Sequence, residues 1–541
     1  MASRPDQSDP VSWPRVCVQV LAWALLLGCA VAIGRAGEVI LANRYVPLGL
    51  HRLALEQVEE QLLGGLGLGI GGAFVLALLA SRLRGMRGLF RGRVAPCAAA
   101  GVLLVFVVAE AWFRLGPALG GDERANVLLI TVDTLRADHL GCYGHERATS
   151  PHLDRMALEG VRFDSALSQA PWTLPSMASL HTSLYPSQHG AIGMKTVVGV
   201  EHAMLAEHLG NAGYWTSAVV THKFVGSRYG FEQGFDAFDE RFVVGHKGVS
   251  SEQVTGALLE QIEAGLKEPF FLWAHYFDPH FSYVEHGDWE FASGYEGDLE
   301  DPLTVEGIMA GVPLEPADID HIEAVYDEEI AFTDREIGRL LDGVRARASA
   351  RPTVTIVTAD HGEAFFERGK FGHGGDLYRE LTHVPLLIAG SIDESLRGTV
   401  VGQPVEVASI GATILGLAGL EPGLFQGEDL LALAPDGQAI RPNFTEGSFA
   451  RGDGAIKLAV VIGNWKLIRD LRNGREEFYD LANDPDEKRD LVDETAPEIL
   501  ATLEGLRQAM NGFEQPLEGA QQSIELDADE LEHLRSLGYT E

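Results

Sequence analysis

Four short apolar runs constrain this chain more than any other feature: NVLLITV from Asn126, YWTSAVV from Tyr214, PFFLWAHY from Pro269 and TVTIVTA from Thr353. Segments of helical period, such as SPHLDRMALEG from Ser150, alternate with them. Apolar strands separated by amphipathic helices predict an α/β domain with a mostly parallel central sheet. In sheets of that kind ligands collect at the carboxyl ends of the strands. Polar, metal-competent residues stand at those ends: Asp133 after the first run, His275 to His280 closing the third, and Asp360 with His361 after the last.

The two ends of the chain read differently. From about Pro442 short strands and turns take over, LAVVIGNWKLIRD and EEFYDLANDPDEKRDL, followed by a helical LDADELEHLRSLGY, which predicts a small antiparallel sheet with helices. At the start, Val16 to Gly34 and Leu62 to Ala80 carry no charge, and Val94 to Ala109 extends through Glu110 to Trp112 and Phe113. Their lengths and the aromatic flank predict transmembrane helices at about 16–34, 62–80 and 94–113. The expected organisation is a membrane anchor over 1–115, a catalytic domain over 124–440 and a C-terminal subdomain over 441–541. Arg82, Arg84, Arg87, Arg91 and Arg93, with no acid among them, place their loop on the cytoplasmic side. The expectation is therefore an integral membrane protein with its catalytic domain periplasmic or extracellular. Further apolar runs follow the first, which argues against a cleaved signal peptide.

A formal charge of −36 makes nucleic acid an improbable partner and suits a solvated surface. Cys17, Cys29 and Cys97 lie in or beside the apolar runs, so Cys142 is the one thiol of the remaining chain and forms no disulfide within it.

Several ordered segments carry a family resemblance: NVLLITVDTLRADHLGCYG, SPHLDRMALEGVRFDSAL, APWTLPSMASLHTSLYPSQHG, FLWAHYFDPHFSY, ADHGEAFFERGKFGHGG, THVPLLI and EEFYDLANDPDEKRDL. Over residues 126 to about 480 the chain resembles the sulfatase branch of the alkaline phosphatase superfamily. The resemblance implies an alkaline-phosphatase-like α/β domain and a divalent metal, zinc, manganese or calcium, held by Asp133, Asp360 and His361. Two carboxylates and an imidazole suit zinc or manganese, with a nucleophile oxygen as a further ligand. Sulfatases usually carry a second aspartate where this chain has Thr134, which makes a calcium site less comfortable.

Thr173 stands where a sulfatase carries the cysteine or serine that becomes formylglycine, so no formylglycine is expected. Thr173 precedes a segment that reads as a helix, whose positive end favours an alkoxide and an incoming anion. Metal activation would make Thr173 a nucleophile and a fourth ligand; the other reading is an ordinary helix cap. Met177 replaces the arginine of the formylglycine site. Both departures tilt the chemistry toward phosphoryl groups. The resemblance further implies that His280 contacts the transferred group and protonates the leaving oxygen, and that His373, with Lys370 nearby, faces the same anion. His222 and Lys223 fall near another substrate-facing lysine. His275 and Asp278 read as structural, paired within their loop.

These residues predict a membrane-anchored, metal-dependent hydrolase of sulfate or phosphate esters, the substrate extending to a lipid or glycan. The alternatives are an envelope transferase of phosphoethanolamine or glycerol phosphate headgroups, and a catalytically silent binding protein on a sulfatase scaffold.

Overall fold

The structure is a computed structural model that describes residues 124–243, 251–299, 303, 308, 314–347, 351–421, 425–433, 441–448, 455–513, 522–528, 530, 531 and 534. Its centre is an eight-stranded sheet. In chain order the strands are β1 (Asn126–Val132), β2 (Val161–Phe163), β3 (Trp215–Val219), β4 (Ala237–Asp239), β5 (Phe270–Tyr276), β6 (Thr353–Ala359), β7 (Leu386–Gly390) and β8 (Thr399–Val401). Their spatial order is β8-β2-β7-β6-β1-β5-β3-β4. All neighbours are parallel except where β7 runs against β6 and β2. The four apolar runs of the sequence are β1, β3, β5 and β6.

Every residue of β1 and of β5 is buried, as expected for strands covered on both faces. Two groups of helices make contacts of their own. Helix α1 (Pro151–Glu159), α3 (Ser251–Gly265) and α4 (Pro316–Ala346) form one group, and α2 (Thr173–Thr182), Leu205–Asn211 and α5 (Ser409–Leu417) the other. The core is contiguous and includes Leu129, Trp273, Tyr326 and Ile356.

The C-terminal part contains a four-stranded antiparallel sheet, β9 (Asn443–Ser448), β10 (Ala455–Ile462), β11 (Trp465–Asp470) and β12 (Glu476–Asp480), crossed by α6 (Pro497–Gly512). Leu458, Val460, Leu467 and Phe478 pack there against Leu503, Leu506 and Met510. Strand β9 is tied to the chain just before α2: the Thr445 hydroxyl donates to the Ser168 carbonyl at 2.8 Å, and Glu446 N to the Gln169 carbonyl at 2.9 Å.

One part of the expected architecture is corrected. Among the described residues no helix is long and apolar enough to cross a membrane. The three expected spans, about 16–34, 62–80 and 94–113, lie outside the described residues. The expected transmembrane helices and integral membrane location find no support among the described residues.

Candidate functional site

Register alone brings the diagnostic residues together. Val132 of β1 stands opposite Ala359 of β6, so the next residues, Asp133 and Asp360, emerge side by side from parallel strands. On the other side of β1, Thr131 stands opposite His275 of β5. His361 follows Asp360, and Thr173 opens α2. The N-terminal turn of α2 is fastened to the same loop, because the Ser176 hydroxyl donates to the Asp360 carbonyl at 2.6 Å.

Asp133, Thr173, Asp360 and His361 are all fully buried. Nε2 of His361 lies 3.3 Å from Thr173 Oγ1, 3.3 Å from Asp360 Oδ2 and 3.7 Å from Asp133 Oδ1. Its Nδ1 is 2.9 Å from the Gly362 carbonyl, which can only accept, so Nδ1 carries the proton and Nε2 presents a lone pair to the cluster. Thr173 is not the cap of its helix: Trp172 holds that position, and the threonine hydroxyl donates toward His361 Nε2.

Polar atoms without partners mark what the cluster lacks. Both carboxylate oxygens of Asp133, Asp360 Oδ2 and Thr134 Oγ1 are buried with no hydrogen-bond partner among the described residues. Burial, then the charges of Asp360 and Glu363, push the Asp133 carboxyl well above the usual carboxylate range. Burial also drives His361 and His275 down to about 4, so both imidazoles are neutral at neutral pH. Two adjacent buried acids with three of their four oxygens lacking donors are costly unless a cation stands among them. The ligand atoms of Asp133, Asp360 and His361 lie within 4.8 Å of one another. This donor set fits a divalent metal.

Thr134 also carries backbone strain, with φ of 55°. A β-branched residue in the left-handed region is costly and persists where its surroundings fix it. Here Thr134 N donates to Asp360 Oδ1 at 3.1 Å and the Tyr326 hydroxyl donates to its carbonyl at 2.8 Å. The turn thereby locks Asp133 to the Asp360 loop.

A row of imidazoles borders the cluster. Ring centroids are 4.4 Å apart for His361 and His373, 5.1 Å for His373 and His280, and 5.6 Å for His280 and His222. Nδ1 of His280 donates to the Phe281 carbonyl at 2.7 Å, so in the neutral ring Nε2 is the acceptor nitrogen. Nδ1 of His222 accepts from Phe224 N at 3.3 Å. Lys370 and Lys223 are not part of this row. Lys370 Nζ donates to Asp376 at 2.5 Å, and Lys223 Nζ lies 3.8 Å from Glu530.

His275 and Asp278 each have a partner outside their loop. His275 Nε2 lies 3.7 Å from Asp133 Oδ2, while Asp278 accepts from Ser251 N at 2.9 Å and from its hydroxyl at 2.6 Å. Sequence reasoning missed Glu363, which is fully buried and 3.0 Å from His373 Nδ1. Burial pushes Glu363 up to about 8 and His373 down to about 4, leaving the pair neutral near pH 7. Its signal was present: an acid two residues after His361, inside the same motif.

A second acid and histidine cluster reads differently. Asp327 is within 2.7 Å of His139 Nδ1 and 2.9 Å of His145 Nε2, and accepts from Arg147 at 2.6 Å. That carboxylate is satisfied by hydrogen bonds, and a guanidinium at this distance repels a cation.

The sulfatase family model matches residues 125–420. An uncharacterized sulfatase, YidJ, of Escherichia coli K12 is 24% identical over 421 residues, covering 69% of this chain and 84% of its own length. A crystal structure of a putative sulfatase from Bacteroides thetaiotaomicron shares the fold, with a TM-score of 0.60 at 19% identity, covering 72% of this chain and 92% of the other. The phosphonate monoester hydrolase SpPMH from Silicibacter pomeroyi aligns with a TM-score of 0.55 at 19% identity, covering 72% and 94%.

Proposed function

The chain belongs to the sulfatase family of hydrolases, and on that premise we propose that it cleaves sulfate or phosphate esters with Thr173 as nucleophile. The observation that carries the reading is the contact of Thr173 Oγ1 with His361 Nε2 at 3.3 Å, beside two buried carboxylates of which both Asp133 oxygens and Asp360 Oδ2 have no hydrogen-bond donor among the described residues. Asp133, Asp360, His361 and the Thr173 oxygen would hold a divalent cation, zinc or manganese by donor type. When bound, that cation supplies positive charge that favours the Thr173 alkoxide and the anionic group of the ester.

The residues then divide the work. Thr173 Oγ forms a bond to the sulfur or phosphorus as the bond to the ester oxygen breaks. The proton lost by Thr173 leaves on the departing alcohol, carried by His280 through Nε2. Water next attacks the Thr173 ester, takes the sulfur or phosphorus, and returns a proton to Oγ. Products are one alcohol and one sulfate or phosphate, with Thr173 restored. The N-terminus of α2 stabilises the transferred anion, and the neutral imidazole of His373 adds a hydrogen-bonding partner held by Glu363. Residues 124–440 form the catalytic unit in this reading and 441–541 a supporting subdomain.

The test is turnover of nitrophenyl sulfate, phosphate monoester and phosphate diester by wild type, Thr173→Ala and Thr173→Ser. Wild-type turnover that falls about a thousandfold in the alanine variant and partly returns in the serine variant is the expected result. Full activity in the alanine variant removes Thr173 as nucleophile.

A further inference from the structure

A cavity of about 300 Å³ lies next to this site, with His373 in its wall. Its other walls come from the segment after β6 and from β10 and β11, so the two parts of the chain both contribute. Most of its charges balance: Arg472 pairs with Asp470 at 2.7 Å, and Arg368 lies 3.2 Å from Glu380 and 3.8 Å from Glu487, whose own close partner is Lys466 at 2.6 Å. Asp376 is the exception. One of its oxygens accepts from Lys370 Nζ at 2.5 Å and the other from Lys457 Nζ. One carboxylate therefore faces two ammonium groups, and the cavity keeps a surplus positive charge in a chain whose formal charge is −36. Lys457 is largely buried and Lys370 exposed, so the surplus runs from the cavity wall to its mouth.

We propose that this cavity is a second anion subsite, in which Lys457 and Lys370 receive a further sulfate, phosphate or carboxylate on the substrate whose ester group lies at Thr173. The inference rests on the catalytic reading for its orientation, and it narrows the substrate to a molecule with at least two anionic groups. Asp376 preorganises the two lysines and at the same time weakens the subsite by partial neutralisation.

The probes are naphthalene-2,6-disulfonate and naphthalene-2-sulfonate, which have no ester to hydrolyse, titrated calorimetrically into the full chain. Wild type is expected to bind the disulfonate about tenfold more tightly, the scale of one charge-assisted contact. Lys457→Gln should cut that ratio to about twofold with monosulfonate affinity unchanged. Asp376→Asn should move it the other way, by severalfold, an opposite sign that general loss of structure does not produce. Equal binding of the two probes by wild type, or a ratio that neither substitution moves, overturns the subsite. Nitrophenyl ester turnover is read separately: its loss with the ratio intact would sink the catalytic reading and leave an anion-binding cavity, while normal turnover with no ratio sinks only the subsite.

Discussion

Asp133→Asn should have opposite effects on stability with and without a divalent cation. The ligand oxygens and nitrogen of Asp133, Asp360 and His361 lie within 4.8 Å of one another. Two carboxylates at that separation repel by about 3.5 kcal/mol at an effective dielectric constant of about 20. In chelator-treated protein this cost is met either as repulsion or as proton uptake, since burial and Asp360 both favour the neutral form of Asp133. An asparagine of the same shape avoids both, so the variant should gain about 1–3 kcal/mol without metal. A cation at a hundred times its dissociation constant should stabilise wild type by about 2.7 kcal/mol. The variant, with one anionic ligand removed, should lose most of that gain. Urea unfolding of both proteins in chelator and in excess zinc or manganese measures all four free energies. Destabilisation of the metal-free protein by Asp133→Asn, or equal stabilisation of both proteins by the cation, would refute the electrostatic reasoning.

Other expectations follow from particular contacts. Burial pushes the Glu446 carboxyl up to about 7, opposed by the hydrogen bond from Ser187 N. A folded value above the unfolded one means its contribution to stability is whole below about pH 4.3 and is lost as pH rises toward 7. Glu446→Gln should therefore match wild type near pH 4 and exceed it by about 2 kcal/mol at pH 8, read from urea midpoints. Asp327 runs the other way: burial opposes ionisation, but hydrogen bonds from His139 and His145 outweigh it and hold the carboxyl well below the usual range. Its contribution is present above about pH 3.9 and disappears as pH falls further, and Asp327→Ala should cost about 3–5 kcal/mol at pH 7 by the same assay. Phe478, fully buried and stacked on Trp465 at 5.2 Å, closes the C-terminal core. Phe478→Ala should cost about 3–5 kcal/mol, seen as a lower denaturation midpoint.

The elements that position the site were legible because parallel strands buried on both faces must be apolar throughout, so the first polar residue after each run marks a strand end. That logic finds Asp133, Asp360 and His361 without coordinates, and Val132 opposite Ala359 shows why they meet. It cannot find the partner of a side chain across the sheet. His275 looked like a loop residue, yet β5 pairs with β1 so that the imidazole lies against Asp133. Lys223 looked substrate-facing, yet Glu530, far along the chain, holds it. Helices are expected in the C-terminal part, but only LDADELEHLRSLGY is singled out there; α6 has its own signal in Leu503, Leu506 and Met510 at helical spacing. Thr134 illustrates a third limit: sequence shows a departure from the family pattern, and only the backbone shows a strained turn tying two candidate ligands together.

Covalent catalysis by Thr173 is tested most directly by acid-quenching turnover of a nitrophenyl ester and weighing the peptide that contains Thr173. The expected result is that peptide carrying one added sulfuryl or phosphoryl group, mapped by fragmentation to Thr173 and absent from Thr173→Ala. Turnover by wild type with no such adduct, together with undiminished turnover by Thr173→Ala, would contradict it.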